Sequence, residues 1–268
     1  MLHKVVIITG ASSGIGKSLA YEFSKHGSKL VLGARRSDRL IKISEDIKKS
    51  GGDVVYCQTD VSNEVDCKNL ILTAIEHYGK IDILINNAGI SMRALFKNTE
   101  LKVLNKLMDV NFWGTVYCTK YALPHILEQK GSVVGVSSIA GFKGLPARSG
   151  YSASKFAMSG FLEALRVENL KNDLHVLIAF PGFTTSNIRN TSLSADGSQQ
   201  GESPRDEDKM MSSEDVAKHI YKAVLKRKSK IILTLQGKMI ALIDKYFPYK
   251  LDNMIYNALA KEANSPFH

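Results

Sequence analysis

The sequence predicts an α/β fold built on an open parallel sheet, and three features carry that prediction. Short runs rich in Val, Ile and Leu alternate with amphipathic stretches of helical length as far as about residue 235. The first run passes through a glycine-rich turn straight into a helix. The carboxyl ends of the runs carry small and polar residues, as expected where a sheet edge lines a ligand crevice.

The opening forty residues read strand, turn, helix, strand: Val5 to Ile8, Thr9 to Gly16, an amphipathic stretch through His26, then Lys29 to Leu32. Gly10, Gly14 and Gly16, with Ser12, Ser13 and Ile15 between them, fall where a tight turn and a helix N-terminus present amides and a positive dipole end to a pyrophosphate. The second strand ends in Ala34-Arg35-Arg36. Ala34 cannot accept hydrogen bonds from ribose hydroxyls, whereas Arg35, with Arg36, offers guanidinium forks suited to a 2′-phosphate, so NADP is expected over NAD. The structural alternative is a solvated charge pair at a strand end.

A polar helix follows over residues 37–50, then strand Asp53 to Cys57, with Asp60 and Val61 in the loop beyond it. Asp60 is read either as an adenine contact or as part of the next helix cap. The helix over 63–78 stops at Gly79, and Asp82 to Asn86 is the fourth strand. Asn87, Ala88 and Gly89 then let the backbone approach a ribose, unless they are only turn chemistry. A long helix is predicted over residues 99–130; Asn111 interrupts its apolar pattern, so its side chain either bonds backbone or holds water. Ser132 to Val136 is the fifth strand, with Ser138 at its end, and Gly150 to Asn169 is a helix followed by the sixth strand, His175 to Phe180.

Within that helix, Tyr151 and Lys155 stand four residues apart on one face. An ammonium beside a phenol stabilises phenolate, so the tyrosine's pKa is expected to fall below its usual value of about 10. Such a pair suits proton exchange with a carbonyl or an alcohol.

Together, T-G-x-x-x-G-I-G at Thr9 to Gly16, N-N-A-G at 86–89, Asn111, Ser138, Y-x-x-x-K at 151–155 and P-G at 181–182 resemble the short-chain dehydrogenase/reductase family over residues 4–235, in its NADP-preferring, hydroxysteroid- or lipid-ketone-like branch. The resemblance implies a single doubly wound Rossmann-type parallel sheet of about seven strands flanked by helices. It also implies Tyr151 as general acid or base, Lys155 as ribose ligand and depressor of the tyrosine pKa, Ser138 as orienter of the substrate oxygen and Asn111 as holder of a relay water. Pro181 and Gly182 would precede the nicotinamide contact, which the family makes through a Thr; here Thr184, Thr185 and Ser186 share that neighbourhood. The expected activity is interconversion of a carbonyl and a secondary alcohol with NADP(H) on an apolar or lipid-like ketone. An NAD-dependent alcohol dehydrogenase and a non-catalytic nucleotide sensor are the alternatives.

Composition narrows the setting. Cys57, Cys67 and Cys118 form no C-x-x-C pair, no metal site is expected, and reduced thiols fit a cytoplasmic location. No signal segment or membrane-length apolar run is read. The net charge of +10 is concentrated: nine Lys/Arg face Asp244 alone between Lys218 and Lys250, which argues against nucleic acid. Residues 191–211 read as a mobile loop, either a substrate cover or an insertion. Residues 1–235 are expected as the dinucleotide-binding and catalytic domain and 236–268 as a helical extension. There, Leu251, Met254, Ile255, Ala258 and Leu259 form a stripe for a homodimer or homotetramer interface or for peripheral contact with anionic membrane.

Overall fold

A computed structural model describes residues 1–185, 188–201, 210–261 and 265–267. The apolar runs become seven parallel strands: β1 (Val5–Thr9), β2 (Lys29–Ala34), β3 (Asp53–Gln58), β4 (Ile83–Asn86), β5 (Ser132–Val136), β6 (His175–Phe180) and β7 (Lys230–Ile232). Their order across the sheet is β3-β2-β1-β4-β5-β6-β7. The chain thus winds outward from β1 to β3, returns to the other side of β1 and winds outward again. This is the doubly wound α/β sheet, and the reversal opens a crevice beyond the carboxyl ends of β1 and β4.

The helices among the described residues are α1 (Gly14–Lys25), α2 (Ser37–Lys49), α3 (Glu64–Tyr78), α4 (Leu101–Met108), α5 (Gly114–Glu128), α6 (Ser149–Glu168), α7 (Ser213–Leu225), α8 (Leu235–Tyr246) and α9 (Pro248–Ala260). Strand residues alternate between the two faces. Val6 and Ile8 pack with Leu19 and Phe23 of α1, Ile43 of α2 and Ile220 of α7, whereas Ile7 packs with Leu70 of α3, Ala122 of α5 and Leu162 of α6. Both faces are therefore covered, which is why the strands read as continuous apolar runs. Local signals set the helix ends: the Asn63 side chain accepts from the Val65 and Asp66 amides at the start of α3, and Gly79, at φ 71°, ends it.

Two expectations are corrected here. The helix predicted over 99–130 is divided into α4, a five-residue π turn at Asp109–Trp113, and α5. Asn111 lies in that turn, and the side-chain bonds it makes to Ile90 and Ser154 accompany the local widening of the helix. In the predicted mobile loop, residues 202–209 lie outside the described residues, but the rest is anchored. Leu193 is buried and its amide donates to the Ser91 carbonyl (2.9 Å), while Gln200 Nε2 donates to the Arg93 carbonyl (2.7 Å).

The crevice is held by close backbone approach. A Cβ on Gly16 would stand 2.3 Å from the Gly10 carbonyl oxygen and 2.5 Å from Asn87 Nδ2, so the first turn of α1 touches both the glycine turn and the end of β4. Gly16→Ala is expected to destabilise the protein by about 2 kcal/mol, because the atoms in the way belong to backbone and to a tethered amide. A lowered urea midpoint measures this; an unchanged midpoint contradicts so tight a seam.

Candidate active site

The cavity at this crevice has a volume of about 540 Å³ and runs from the glycine turn to the C-terminal helices. That size suits a cofactor with a small ligand beside it.

At its first end, Gly10, Ser12, Ser13, Gly14 and Ile15 line the wall, while Gly16 serves packing beneath. Ser13, the N-cap of α1, makes no side-chain capping bond, which leaves first-turn amides for a ligand. Arg35 and Arg36 line this end too. Of the two, Arg36 is tied to the glycine turn, its Nη2 donating to Ser12 Oγ (3.2 Å) and Ser13 Oγ (3.0 Å). Asp60 and Val61 also line the cavity, and Asp60 Oδ1 accepts from the Ser62 amide (3.0 Å) and hydroxyl (2.7 Å). These amides, hydroxyls and guanidinium groups fit a dinucleotide phosphate.

Ala88 and Gly89 carry the wall onward from β4, while Asn87 Nδ2 donates to the Thr9 (2.9 Å) and Gly10 (3.3 Å) carbonyls and binds the two strand ends together. Pro181, Gly182 and Thr184 line the opposite side; Thr184 Oγ1 donates to the Gly182 carbonyl (3.2 Å). Ser186 lies outside the described residues.

In the middle stand Ser138, Tyr151 and Lys155, brought together by the loop after β5 and the first turns of α6. Ser138 caps a short 3₁₀ turn, accepting from the Ala140 amide (3.2 Å). Lys155 Nζ donates to the Val136 carbonyl (2.9 Å), and burial pushes its pKa down to about 8. The expected fall of the Tyr151 pKa is not found. Burial raises it, and the hydrogen bond from Ser138 and the charge of Arg148 offset only part of that rise. The Lys155 ammonium is engaged by a strand carbonyl, so desolvation of the phenol dominates.

Asn111 is fully buried beside this group. Its Nδ2 donates to the Ile90 carbonyl (3.0 Å) and Ser154 Oγ (2.9 Å), and its Oδ1 accepts from the Ile90 amide (2.9 Å). Both of its N–H donors are engaged, so the side chain ties the π turn to the loop after β4 and to α6. A Cβ on Gly89 would lie 3.1 Å from Asn111 Oδ1 and 3.3 Å from Lys155 Nζ, which makes that glycine the spacer between them.

The far end was not legible in the motifs. Leu145, Arg148, Ile188, Arg189 and Leu193 line it, with Gln236 and Ile240 of α8 and Ile255, Ala258 and Leu259 of α9. The stripe on α9 that suggested an interface or membrane contact thus turns its Ile255, Ala258 and Leu259 into the cavity. Lys143, in the loop before α6, holds both helices there through Asp244 of α8 (2.8 Å) and Asp252 of α9 (2.7 Å).

The comparisons agree with this geometry. A family model described as short chain dehydrogenase matches residues 4–197, more than half of the chain. The 11-beta-hydroxysteroid dehydrogenase-like 2 of Arabidopsis thaliana is 48% identical over 187 residues, which cover 69% of this chain and 60% of that protein. The 11-beta-hydroxysteroid dehydrogenase A of Arachis hypogaea is 43% identical over 197 residues, 72% of this chain and 56% of that one. The chain thus spans about 60% of the length of these curated relatives. Among solved structures, a short chain dehydrogenase/reductase from Burkholderia phymatum in complex with NAD superposes with a TM-score of 0.81 at 23% identity, over 91% of this chain and 95% of that one. An alcohol dehydrogenase from the archaeon Thermococcus sibiricus complexed with 5-hydroxy-NADP gives 0.75 at 24%, over 86% and 96%. The glycine turn, the reversal of the sheet and the Ser138, Tyr151 and Lys155 cluster all fall within the matched residues, and the chain belongs to the short-chain dehydrogenase family.

Proposed function

We propose that the protein is an NADP(H)-dependent oxidoreductase that interconverts a carbonyl and a secondary alcohol, working on a substrate with an apolar body. One observation carries this reading: a single cavity begins at the helix N-terminus and Arg36, passes Lys155, and reaches the Ser138 and Tyr151 hydroxyls before its apolar far wall. The bound nicotinamide supplies the hydride chemistry. Ser138 orients the substrate oxygen, and Tyr151 delivers a proton to it in reduction or accepts one in oxidation. Lys155 would hold the nicotinamide ribose, and Asn111 acts as a positioning residue for Ile90 and Ser154. A nucleotide sensor would have no chemical need for the hydroxyl pair and the buried lysine together. Ala34 at the end of β2 and the Arg35 and Arg36 guanidinium groups support NADP over NAD.

A second reading rests on a different surface. Met239, Leu242 and Tyr246 of α8, Phe247 between the two helices and Tyr249 of α9 are exposed, among Lys238, Lys245 and Lys250. We propose that this outer face makes a subunit contact whose basic rim touches anionic membrane.

Tyr151→Phe removes the transferable proton and keeps the ring, so turnover in a ketone and alcohol screen followed by nicotinamide absorbance is expected to fall by on the order of 10²-fold or more, with cofactor still bound. Parental turnover would refute the proton-transfer role. Ala34→Asp combined with Arg35→Ala and Arg36→Ala is expected to move preference toward NAD(H) by about 2–4 kcal/mol, roughly 30- to 1000-fold, read by fluorescence titration of both cofactors. A parent protein that binds NAD(H) more tightly than NADP(H) sinks the NADP assignment. Binding to phosphatidylserine vesicles is expected at low salt and to weaken toward physiological salt, each lysine near the surface contributing about 1 kcal/mol. Indifference to such vesicles at low salt removes the membrane contact.

A further inference from the structure

The apolar wall at the far end of the cavity has a second face. Leu145 and Ile255 line the cavity, and both also line a separate cleft that opens to the outside between the loop before α6 and helix α9. Pro146 and Tyr256 extend the apolar surface of that cleft, with Ser152, Asp252 and Asn253 among its polar residues. The Tyr256 ring is itself supported by Phe267, at 4.6 Å between ring centroids. Cavity and cleft thus share a partition formed by two side chains, both half-buried.

The supports of this partition are fixed, whereas its side chains are not enclosed. The Leu145 backbone is pinned on both sides, its amide donating to Ser152 Oγ (3.2 Å) and its carbonyl accepting from the Arg148 amide (3.2 Å). Lys143 joins the loop to α9 through Asp252 (2.7 Å), one turn before Ile255. Among the described residues of α9 only Leu251 is buried, so Ile255 is not locked in a close-packed interior. Side chains near the surface change rotamer faster than a backbone loop opens, and a rotation at Leu145 and Ile255 breaks none of these bonds.

Size makes such a passage useful. A dinucleotide takes the greater part of a 540 Å³ cavity, and Leu145 packs against the same cluster of side chains as Tyr151. A substrate with its reacting carbon at Tyr151 therefore meets the partition within a short length of chain, and only a slender chain fits between two side chains. We propose that the outer cleft is a substrate subsite that takes the far end of an elongated apolar body, reached between Leu145 and Ile255, so that the substrate class is a straight-chain carbonyl compound or alcohol longer than the cavity holds alone. This rests on the reading of the cavity as the substrate site of the proposed oxidoreductase.

Gly144 gives the means to test it. It lines the cleft, a Cβ placed on it meets nothing within 4 Å, and its φ lies outside the left-handed region, so a large side chain there occupies the cleft without straining the loop. The protein is saturated with oxidised cofactor, NADP⁺ or NAD⁺ according to which binds more tightly, and titrated calorimetrically with 2-hexanone, 2-nonanone and 2-dodecanone. With the cofactor oxidised the ketones bind without being reduced, so the result is judged apart from turnover and from the Tyr151 chemistry. In the parent protein, affinity is expected to rise about 4-fold for each added methylene through 2-dodecanone. Gly144→Trp is expected to keep the affinity for 2-hexanone and to lose the gain between 2-nonanone and 2-dodecanone, a fall of about 10- to 60-fold for the longest ketone. Asn253→Trp, on the exposed opposite rim, is expected to act likewise and decides the matter should Gly144→Trp not fold. A parent affinity that levels off before 2-dodecanone, or no binding by any of the three ketones, overturns the proposal. So does a gain that survives in the folded variants, or a loss that is equal for all three ketones.

Discussion

The seam between β1 and β4 has to bring two parallel strands that are far apart in sequence to the same height and then leave their ends open for a ligand. Thr9 and Asn87 do this work. Thr9 Oγ1 accepts from the Asn87 and Ala88 amides, both at 3.0 Å, while Asn87 Nδ2 returns bonds to the Thr9 and Gly10 carbonyls. Backbone groups at the ends of two parallel strands have no ladder partner, and an unpaired buried amide costs about as much as a lost hydrogen bond. Side-chain pairing therefore satisfies the strand ends without closing the crevice over them. The approach of α1 through Gly16, the cavity and the alignment of β5 beside β4 all depend on this seam.

Burial governs the chemistry that the crevice permits. Lys155 and Tyr151 are both withdrawn from water, and desolvation moves them in opposite directions: the ammonium down to about 8, the phenol upward. Desolvation thus favours the neutral phenol and the neutral amine alike, which holds the phenol's proton more firmly. The cations and donors nearby then decide how far the phenol is brought back. Ser138 and Arg148 do so in this structure. Asn111, with its donors committed to Ile90 and Ser154, contributes rigidity to the same wall.

The C-terminal helices have two faces with different roles. Ile240, Ile255 and Leu259 close the cavity, whereas Tyr246, Phe247 and Tyr249 are exposed. The helix pair is fixed to the body by Lys143, whose ammonium lies between the carboxylates of Asp244 and Asp252. Two acidic partners offset the desolvation of that lysine and keep its pKa above the ordinary value. The family match ends at residue 197, before α8 and α9 begin, so Gln236, Ile240, Ile255, Ala258 and Leu259 of the far wall lie outside it.

The sequence by itself determined the order of strands and helices, the glycine turn, the Tyr151 and Lys155 pair and the residues that line the cofactor end, because these rest on local periodicity and short spacings. The stripe on α9, of which Ile255, Ala258 and Leu259 line the cavity while Met254 is exposed, was visible as Leu251, Met254, Ile255, Ala258 and Leu259. What that stripe touches was decided by tertiary structure, since an apolar face is equally consistent with a partner, a membrane or the protein's own cavity until the neighbouring elements are placed. The same holds for the direction of the Tyr151 pKa, which follows from burial, and for Asn111, whose partners Ile90 and Ser154 come from other parts of the chain. Arg148, three residues before Tyr151, belongs to none of the sequence motifs. Its bond to Ser91 and its place in the cavity wall arise from packing of segments that no short spacing relates.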